Sequence, residues 1–387
     1  MKYDFDTVIH RRGTSSIKYD FAAERGMPEG IIPMWVADMD FTAPPEVLED
    51  IQKAAAHGIF GYSDAMDSYY NAVSAWFSSR YNFSFGKKDI IKAPGIVYAL
   101  AQIIRAFTVE GDAVLIQTPV YHPFYSLVRD NGRKIAANPL IYKDGKYSID
   151  FEDFEAKIIN HSVKMFLLCS PHNPISRVWT REELETLNAI CAKHNVIIIS
   201  DEIHCDFVWS GYEHTSFGSI NENAVITTAP SKTFNLAGLQ ASNIIVKNTE
   251  LREKLTAEFH RSGYSQLNTL GLAACQSAYA KGSPWLDALK TYIEGNIILC
   301  KEFLTRHLPK ISLIEPEATY LLWLDFSAYH LEQKELDRRI TEGAKLWLST
   351  GTTFGDEGKG FQRLNIACPR SVLSEALERL KREFGEA

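Results

Sequence analysis

No apolar run in the 387-residue sequence approaches the length of a membrane span; residues 196–199 are typical of its hydrophobic stretches. A spanning helix needs about 20 consecutive apolar residues, so no membrane association is expected. A basic excess is also missing: 41 Lys and Arg against 48 Asp and Glu give a net charge of −7 at pH 7. A mildly acidic chain has no long-range attraction for phosphate backbones, which argues against nucleic acid as a partner. Six cysteines are scattered without a C-x-x-C pair, several of them in apolar runs. They read as small buried hydrophobes in a reducing, cytoplasmic compartment. The opening Met1–Asp6 carries two acids and no apolar core, unlike a signal peptide. The nucleotide signatures G-x-x-x-x-G-K-[ST] and G-x-G-x-x-G after a strand are absent, as are H-E-x-x-H and any metal-ligand spacing among the histidines. Kinase and dehydrogenase readings therefore have no support, and no metal is expected.

What remains is a composition of 45% hydrophobic and 23% charged residues, ordinary for a soluble globular protein. From about residue 88, short runs rich in Val and Ile alternate with longer helical patterns. The strand candidates are 113–117, 164–170, 196–200, 224–228 and 242–246. Several are apolar throughout, as strands buried on both faces must be. A helical pattern over 181–194 begins behind the N-cap candidate Thr180. Such alternation predicts an α/β layer structure with a largely parallel sheet. Residues 1–47 are loop-rich and hold four prolines, while a helical stretch from Trp285 leads to a strand candidate at 320–326. We expect a large domain over residues 48–288 and a smaller α+β domain built from 1–47 and 289–387.

Three polar clusters each follow an apolar strand: Ser170-Pro171-His172-Asn173-Pro174, Ser200-Asp201-Glu202-Ile203-His204 and Ser231-Lys232-Thr233-Phe234-Asn235. In an open α/β sheet, ligands bind outside the carboxyl ends of the strands, so the three clusters converge on one crevice. An amide, a carboxylate and an amine together suit a cofactor with a basic ring nitrogen, a phenolate oxygen and an aldehyde, namely pyridoxal 5′-phosphate (PLP). Lys232, next to an apolar-aromatic stretch, is placed to be desolvated; such an amine loses its charge readily and forms an imine. Asp201 ends an Ile-rich strand, where a carboxylate is costly without a cationic partner. Glu202 competes for that role on composition alone.

These motifs, in this order, resemble the fold-type I PLP enzymes of the aspartate aminotransferase superfamily. Trp35-Val36-Ala37-Asp38-Met39-Asp40-Phe41, Thr319-Tyr320-Leu321-Leu322-Trp323 and Phe361-Gln362-Arg363-Leu364-Asn365, with the three clusters, resemble the cystathionine β-lyase and C–S lyase group of the MalY–PatB type, which includes cystalysin. The matches span residues 35 to 365. One departure is Ser176, where the group more often has glycine; serine asks for a different turn without consequence for the chemistry. The resemblance implies a three-layer α/β/α large domain, PLP on Lys232, and Lys232 as the group that removes the substrate Cα proton. It selects Asp201 over Glu202 for the ring nitrogen and gives Asn173 the ring O3′. His204 is placed near the cofactor, where aminotransferases commonly carry a tyrosine. Gly95, Ile96 and Val97, ahead of a helical pattern over 98–107, are implied to hold the phosphate with Ser231, and Tyr121 to stack on the ring.

Arg363 is the candidate grip on the substrate α-carboxylate, because its planar fork suits bidentate binding. Arg370 is its rival but follows Pro369 in an expected loop. Ala37 is a further substrate-binding candidate, and Tyr62 matches a tyrosine that such dimers lend to the neighbouring subunit's site. The implied activity is α,β-elimination of L-cystathionine or a related cysteine S-conjugate by a homodimer. An aminotransferase of aromatic or sulfur amino acids, and a PLP-fold regulator that binds a transcription factor, are the alternatives.

Overall fold

The computed structural model describes residues 3–385; the first two and last two positions of the expected small domain lie outside that range. Seven strands form the principal sheet: β1 (Ile90–Ala93), β2 (Ala113–Thr118), β3 (Lys134–Pro139), β4 (Met165–Cys169), β5 (Ile197–Asp201), β6 (Val225–Thr228) and β7 (Ser242–Ile245). Their order is β1-β7-β6-β5-β4-β2-β3. Strands β3, β2, β4, β5 and β6 run parallel, and β7 is antiparallel to both β6 and β1.

The five expected strands are all present. The two unexpected ones, β1 and β3, are the edges of the sheet. Their sequences, IIKA and KIAANP, are only partly buried and carry Lys, Asn and Pro. Edge strands tolerate such residues, which erases the apolar signature.

The central strands are buried on both faces because alternate side chains enter different cores. Leu115, Phe166, Leu168, Ile198 and Ile226 join one cluster; Val114, Ile116, Met165, Leu167, Ile199 and Val225 join the other. The helix Ile96–Phe107 covers the second face through Ile96, Ala99, Leu100, Ile103 and Ile104. The helices Asp67–Tyr81 and Thr269–Lys281 cover the first through Tyr69, Val73, Phe77, Ala274 and Ala278. The result is a three-layer α/β/α arrangement. Thr180 caps the helix Arg181–Lys193, accepting from the Glu183 amide while the Glu183 side chain accepts from the Thr180 amide.

A second sheet, antiparallel, is built from β8 (Ser312–Leu313), β9 (Leu321–Asp325), β10 (Ser349–Thr350) and β11 (Phe361–Asn365) in the order β8-β9-β11-β10. The segment Ile32–Pro33 pairs with Leu346–Trp347, which brings the chain's beginning beside this sheet. The 25-residue helix Ser283–His307 buries Trp285, Leu286, Leu289, Ile293 and Ile297, a spacing of three and four residues that marks one helical face. Among the described residues, no helix is long and apolar enough to cross a membrane, and no cluster of His, Cys, Asp and Glu has the makings of a metal site.

Candidate active site

Strands β4, β5 and β6 are neighbours and parallel, so their carboxyl ends share one edge of the sheet. The Ser170–Pro174 cluster follows β4, Asp201 ends β5, and the four-residue helix Pro230–Thr233 begins two residues after β6. A cavity of about 410 Å³ opens there. Ala37, Gly95, Ile96, Val97, Tyr121, Asn173, Asp201, His204, Ser231, Lys232 and Arg363 all line it. Tyr62 does not: it is fully exposed, beside the exposed Ile59 and Phe60.

The phosphate-side segment differs in one detail from the expectation. The helix starts at Ile96, two residues before the predicted Tyr98. Ile96 and Val97 therefore contribute first-turn N–H groups, which have no partners inside the helix. Gly95 caps the turn at φ 155° and ψ 157° without a side-chain cap, and a Cβ there would meet nothing within 4 Å. Only glycine is at ease in that conformation, and the space beside it is open.

Asp201 is 3% exposed. Its Oδ1 accepts from the Ile203 amide and the Thr227 hydroxyl, both at 3.3 Å. Burial raises its pKa to about 7, the two hydrogen bonds and Lys232 opposing the rise while Glu202 adds to it. Glu202 itself points away from the cavity. Its Oε1 accepts from the Ser200 hydroxyl and the Phe217 amide, and its Oε2 lies 3.3 Å from His214 Nε2.

The Lys232 ammonium donates to the Ala37 carbonyl at 2.8 Å, which also accepts from the Tyr320 hydroxyl at 3.0 Å. Burial lowers the lysine's pKa to about 8, the Arg363 charge helping and the carboxylates of Asp38 and Asp201 opposing. Tyr121 is raised to about 12, chiefly by burial. His204 is buried and its pKa falls to about 3, first by burial and then through the positive charges of Lys232 and Arg363. It is therefore a neutral imidazole, and its Nδ1 has no hydrogen-bond partner among the described residues.

Arg363 sits mid-strand in β11 at 4% exposure. One terminal nitrogen donates to Asn173 Oδ1 at 2.9 Å; the other donates to the Trp35 carbonyl at 2.7 Å and the Ser349 hydroxyl at 3.2 Å. The Phe354 ring lies 4.8 Å from its guanidinium carbon. Its Nε is buried with no partner. Arg370 is elsewhere, over the Tyr292 ring and donating to Asn296 Oδ1. It does not lie in a loop, as expected from the sequence, but is the first residue of the helix Arg370–Phe384. A proline immediately before a helix is well suited to start one, so Pro369 was a start signal.

Ser176 takes φ 57° itself, and its hydroxyl reaches the Leu321 carbonyl at 2.5 Å and Thr319 Oγ1 at 3.0 Å. The sequence reading missed Ser349, which bonds Arg363, and Asn365, whose amide donates to the carbonyls of Val36 and Asp38. Asn365 was findable: it follows Arg363 by two positions in a strand and so shares its face.

The residues present fit PLP. A buried carboxylate with no ion-pair partner among the described residues suits a pyridinium nitrogen. Open N–H groups at a glycine-capped helix start suit a phosphate. An amine of lowered pKa suits imine formation. Fold and site together define a PLP enzyme of fold type I.

The chain belongs to the aminotransferase class I and II family, which it matches over residues 29–380. It is 45% identical to the cystathionine beta-lyase PatB of Bacillus subtilis over 382 residues, 98% of this chain and 99% of PatB. Cystalysin from Treponema denticola, solved with its PLP cofactor, has a TM-score of 0.95 at 38% identity, with 99% of both chains covered. The PLP-bound C–S lyase of Staphylococcus hominis, complexed with L-cycloserine, has a TM-score of 0.92 at 35% identity, again over 99% of each chain.

Proposed function

We propose that the chain is a PLP-dependent carbon–sulfur β-lyase that converts L-cystathionine or a related cysteine S-conjugate, with water, into a thiol, pyruvate and ammonia. The observation that carries this reading is the convergence of Lys232, Asp201, Asn173 and Arg363 on one cavity, in a chain similar along its length to PLP-bound C–S lyases.

PLP, when bound, supplies the electron sink that allows loss of the Cα proton and departure of a thiolate from Cβ. Asp201 would set its carboxylate against the ring nitrogen and keep that nitrogen protonated. Asn173 spends its carbonyl oxygen on Arg363, which leaves its NH2 free for the ring O3′. Gly95, Ile96, Val97 and Ser231 would hold the phosphate, Tyr121 would lie against the ring, and neutral His204 would add a polar atom without a competing charge. Lys232 is the amine that would hold the cofactor covalently, and its Nζ would take the substrate Cα proton. With a pKa near 8, a useful fraction of it is neutral at physiological pH, as a general base requires. Arg363, held flat by three acceptors, grips the substrate α-carboxylate, with Ala37 alongside.

The same reading includes a homodimer in which Tyr62 reaches the partner's cavity, which accords with its complete exposure in one protomer. It includes the division into domains at residues 48 and 288. It also includes a cytoplasmic setting, which accords with six buried free cysteines.

The test is a coupled assay on L-cystathionine. Pyruvate and ammonia released without a keto-acid acceptor are the expected result. Turnover that depends on an acceptor means an aminotransferase instead, and absence of turnover together with binding of a transcription factor means a regulator.

A further inference from the structure

Five residues beyond Asp201 lies another buried carboxylate, and the chemistry above makes no use of it. Asp206 is 4% exposed. Three neutral donors surround it. Trp76 Nε1 reaches Oδ1 at 3.0 Å, the Tyr81 hydroxyl donates to the same oxygen, and the Thr233 hydroxyl reaches Oδ2 at 2.7 Å. A buried carboxylate is costly unless such donors compensate it, so three converging on one group make it a node of the structure.

The two oxygens serve different elements. Oδ1 takes both donors from the helix Asp67–Tyr81. Oδ2 takes Thr233, the last residue of the helix Pro230–Thr233 and the neighbour of Lys232. That helix is a single turn of four residues, too short to hold itself in place. Its backbone is tied only locally, by Phe234 N–H to the Pro230 carbonyl at 2.9 Å and Leu236 N–H to the Ser231 carbonyl at 3.1 Å. The Lys232 bond to Ala37 is given up when the amine engages the cofactor. Ser231 makes no side-chain hydrogen bond among the described residues. Thr233 is then the remaining side-chain hydrogen bond between this turn and the rest of the chain, and its partner lies on the segment that continues from Asp201.

We propose that Asp206 is a positioning residue: through Thr233 it fixes the Lys232 turn relative to the Asp201 strand, and so sets how Lys232 faces the cofactor and the substrate Cα. This rests on Lys232 being the cofactor lysine. Small displacements at a reacting centre are expensive in rate while leaving substrate capture intact, so the cost falls on kcat. Asp206 thus ties the Lys232 turn to the segment that leaves Asp201 and to the helix Asp67–Tyr81.

The experiment compares two variants of the holoenzyme, each removing one donor from Asp206. Thr233→Val breaks the link to the Lys232 turn; Trp76→Phe breaks a link to the helix Asp67–Tyr81 and leaves the turn tied. Visible circular dichroism of the bound PLP reports its orientation, and steady-state kinetics on one cysteine S-conjugate reports the rest. Thr233→Val should alter the visible dichroic band and lower kcat roughly ten- to a hundredfold, with KM within about twofold. Thr233→Ser should restore both. Trp76→Phe should lower the melting temperature but keep the wild-type band and kcat. Should Thr233→Val not fold, Thr233→Ala takes its place with the same outcomes. A wild-type band and kcat in the threonine variant overturn the proposal, as does an equal loss of both in Trp76→Phe. Borohydride fixation of PLP followed by peptide mapping separates the two levels. A label on another lysine overturns the Lys232 assignment and the proposal with it, whereas a label on Lys232 with unchanged dichroism overturns the proposal alone.

Discussion

A carboxylate placed for a cofactor should be a burden to the protein without it, and Asp201 offers a measurable case. In the cofactor-free chain, burial raises its pKa from 3.8 to about 7. An acid whose folded value lies above its unfolded value binds more protons folded than unfolded between the two. Stability therefore falls as pH rises from about 4 to about 7, and the full penalty is present above that. At ~1.4 kcal/mol per pH unit, the rise corresponds to about 4 kcal/mol. Asp201→Asn removes the charge and keeps an acceptor for the Ile203 amide and the Thr227 hydroxyl. The variant apoprotein should lie within about 1 kcal/mol of wild type near pH 4.5 and exceed it by up to about 4 kcal/mol at pH 8. The depressed pKa of Lys232 destabilises both forms below about pH 8, and because the Asp201 charge opposes that depression, the variant gives back part of its gain. Denaturant midpoints of the apoproteins between pH 4.5 and 8, repeated with excess PLP, provide the assay. With PLP the order should reverse, because the pyridinium pairs with Asp201 and gains less from Asn. Parallel pH profiles for the two apoproteins would refute the reasoning and leave Asp201 an ordinary buried acid.

Lys232→Ala should abolish the visible absorbance of lysine-linked PLP and nearly all turnover while the far-ultraviolet dichroism persists; absorbance that remains would place the imine on another lysine. Arg363→Lys loses the planar fork and at least one of the bonds to Asn173, Trp35 and Ser349. Removing charge-assisted hydrogen bonds of this kind costs about 1.5–3 kcal/mol each, so kcat/KM should fall at least tenfold, mostly through KM; an unchanged KM would remove Arg363 from carboxylate binding. Tyr62→Ala and Lys232→Ala, each inactive alone, should complement when subunits are exchanged, because one site of a heterodimer receives both lesions and the other neither. Random pairing restores about a quarter of wild-type activity, and no recovery in proven heterodimers means that Tyr62 acts within its own chain.

The buried half of the fold was legible because strands covered on both faces are mostly apolar: β2, β4, β5, β6 and β7 stand out by their Val, Ile and Leu, although they also bury Gln117, Ser200, Thr227 and Asn243. The edges β1 and β3 did not, since one lysine or proline on an uncovered side costs little there. Lys232, Asp201 and Asn173 were legible for a related reason. A polar group at the end of an apolar strand is conspicuous, and the carboxyl ends of parallel strands meet. Their surroundings were not. That Ser349 faces Arg363 follows from the pairing of β10 with β11, which no local pattern encodes, and that Asp206 meets Thr233 follows from a contact between segments that are adjacent only in the folded chain.

The same distinction explains why Arg363 is held as it is. Its partners come from the loop after β4, from the segment before Val36 and from β10, three parts of the chain that meet only when both sheets are in place. A guanidinium with a single strong partner would rotate about it and offer the substrate a moving target. Three acceptors from three directions define its plane, and a plane is what a bidentate grip requires. Desolvation lowers its pKa to about 10, so the charge survives at physiological pH while the buried Nε still lacks a partner. That unpartnered N–H is a cost of the folded site which, on the proposed reading, a bound carboxylate would offset by bringing further negative charge to the guanidinium.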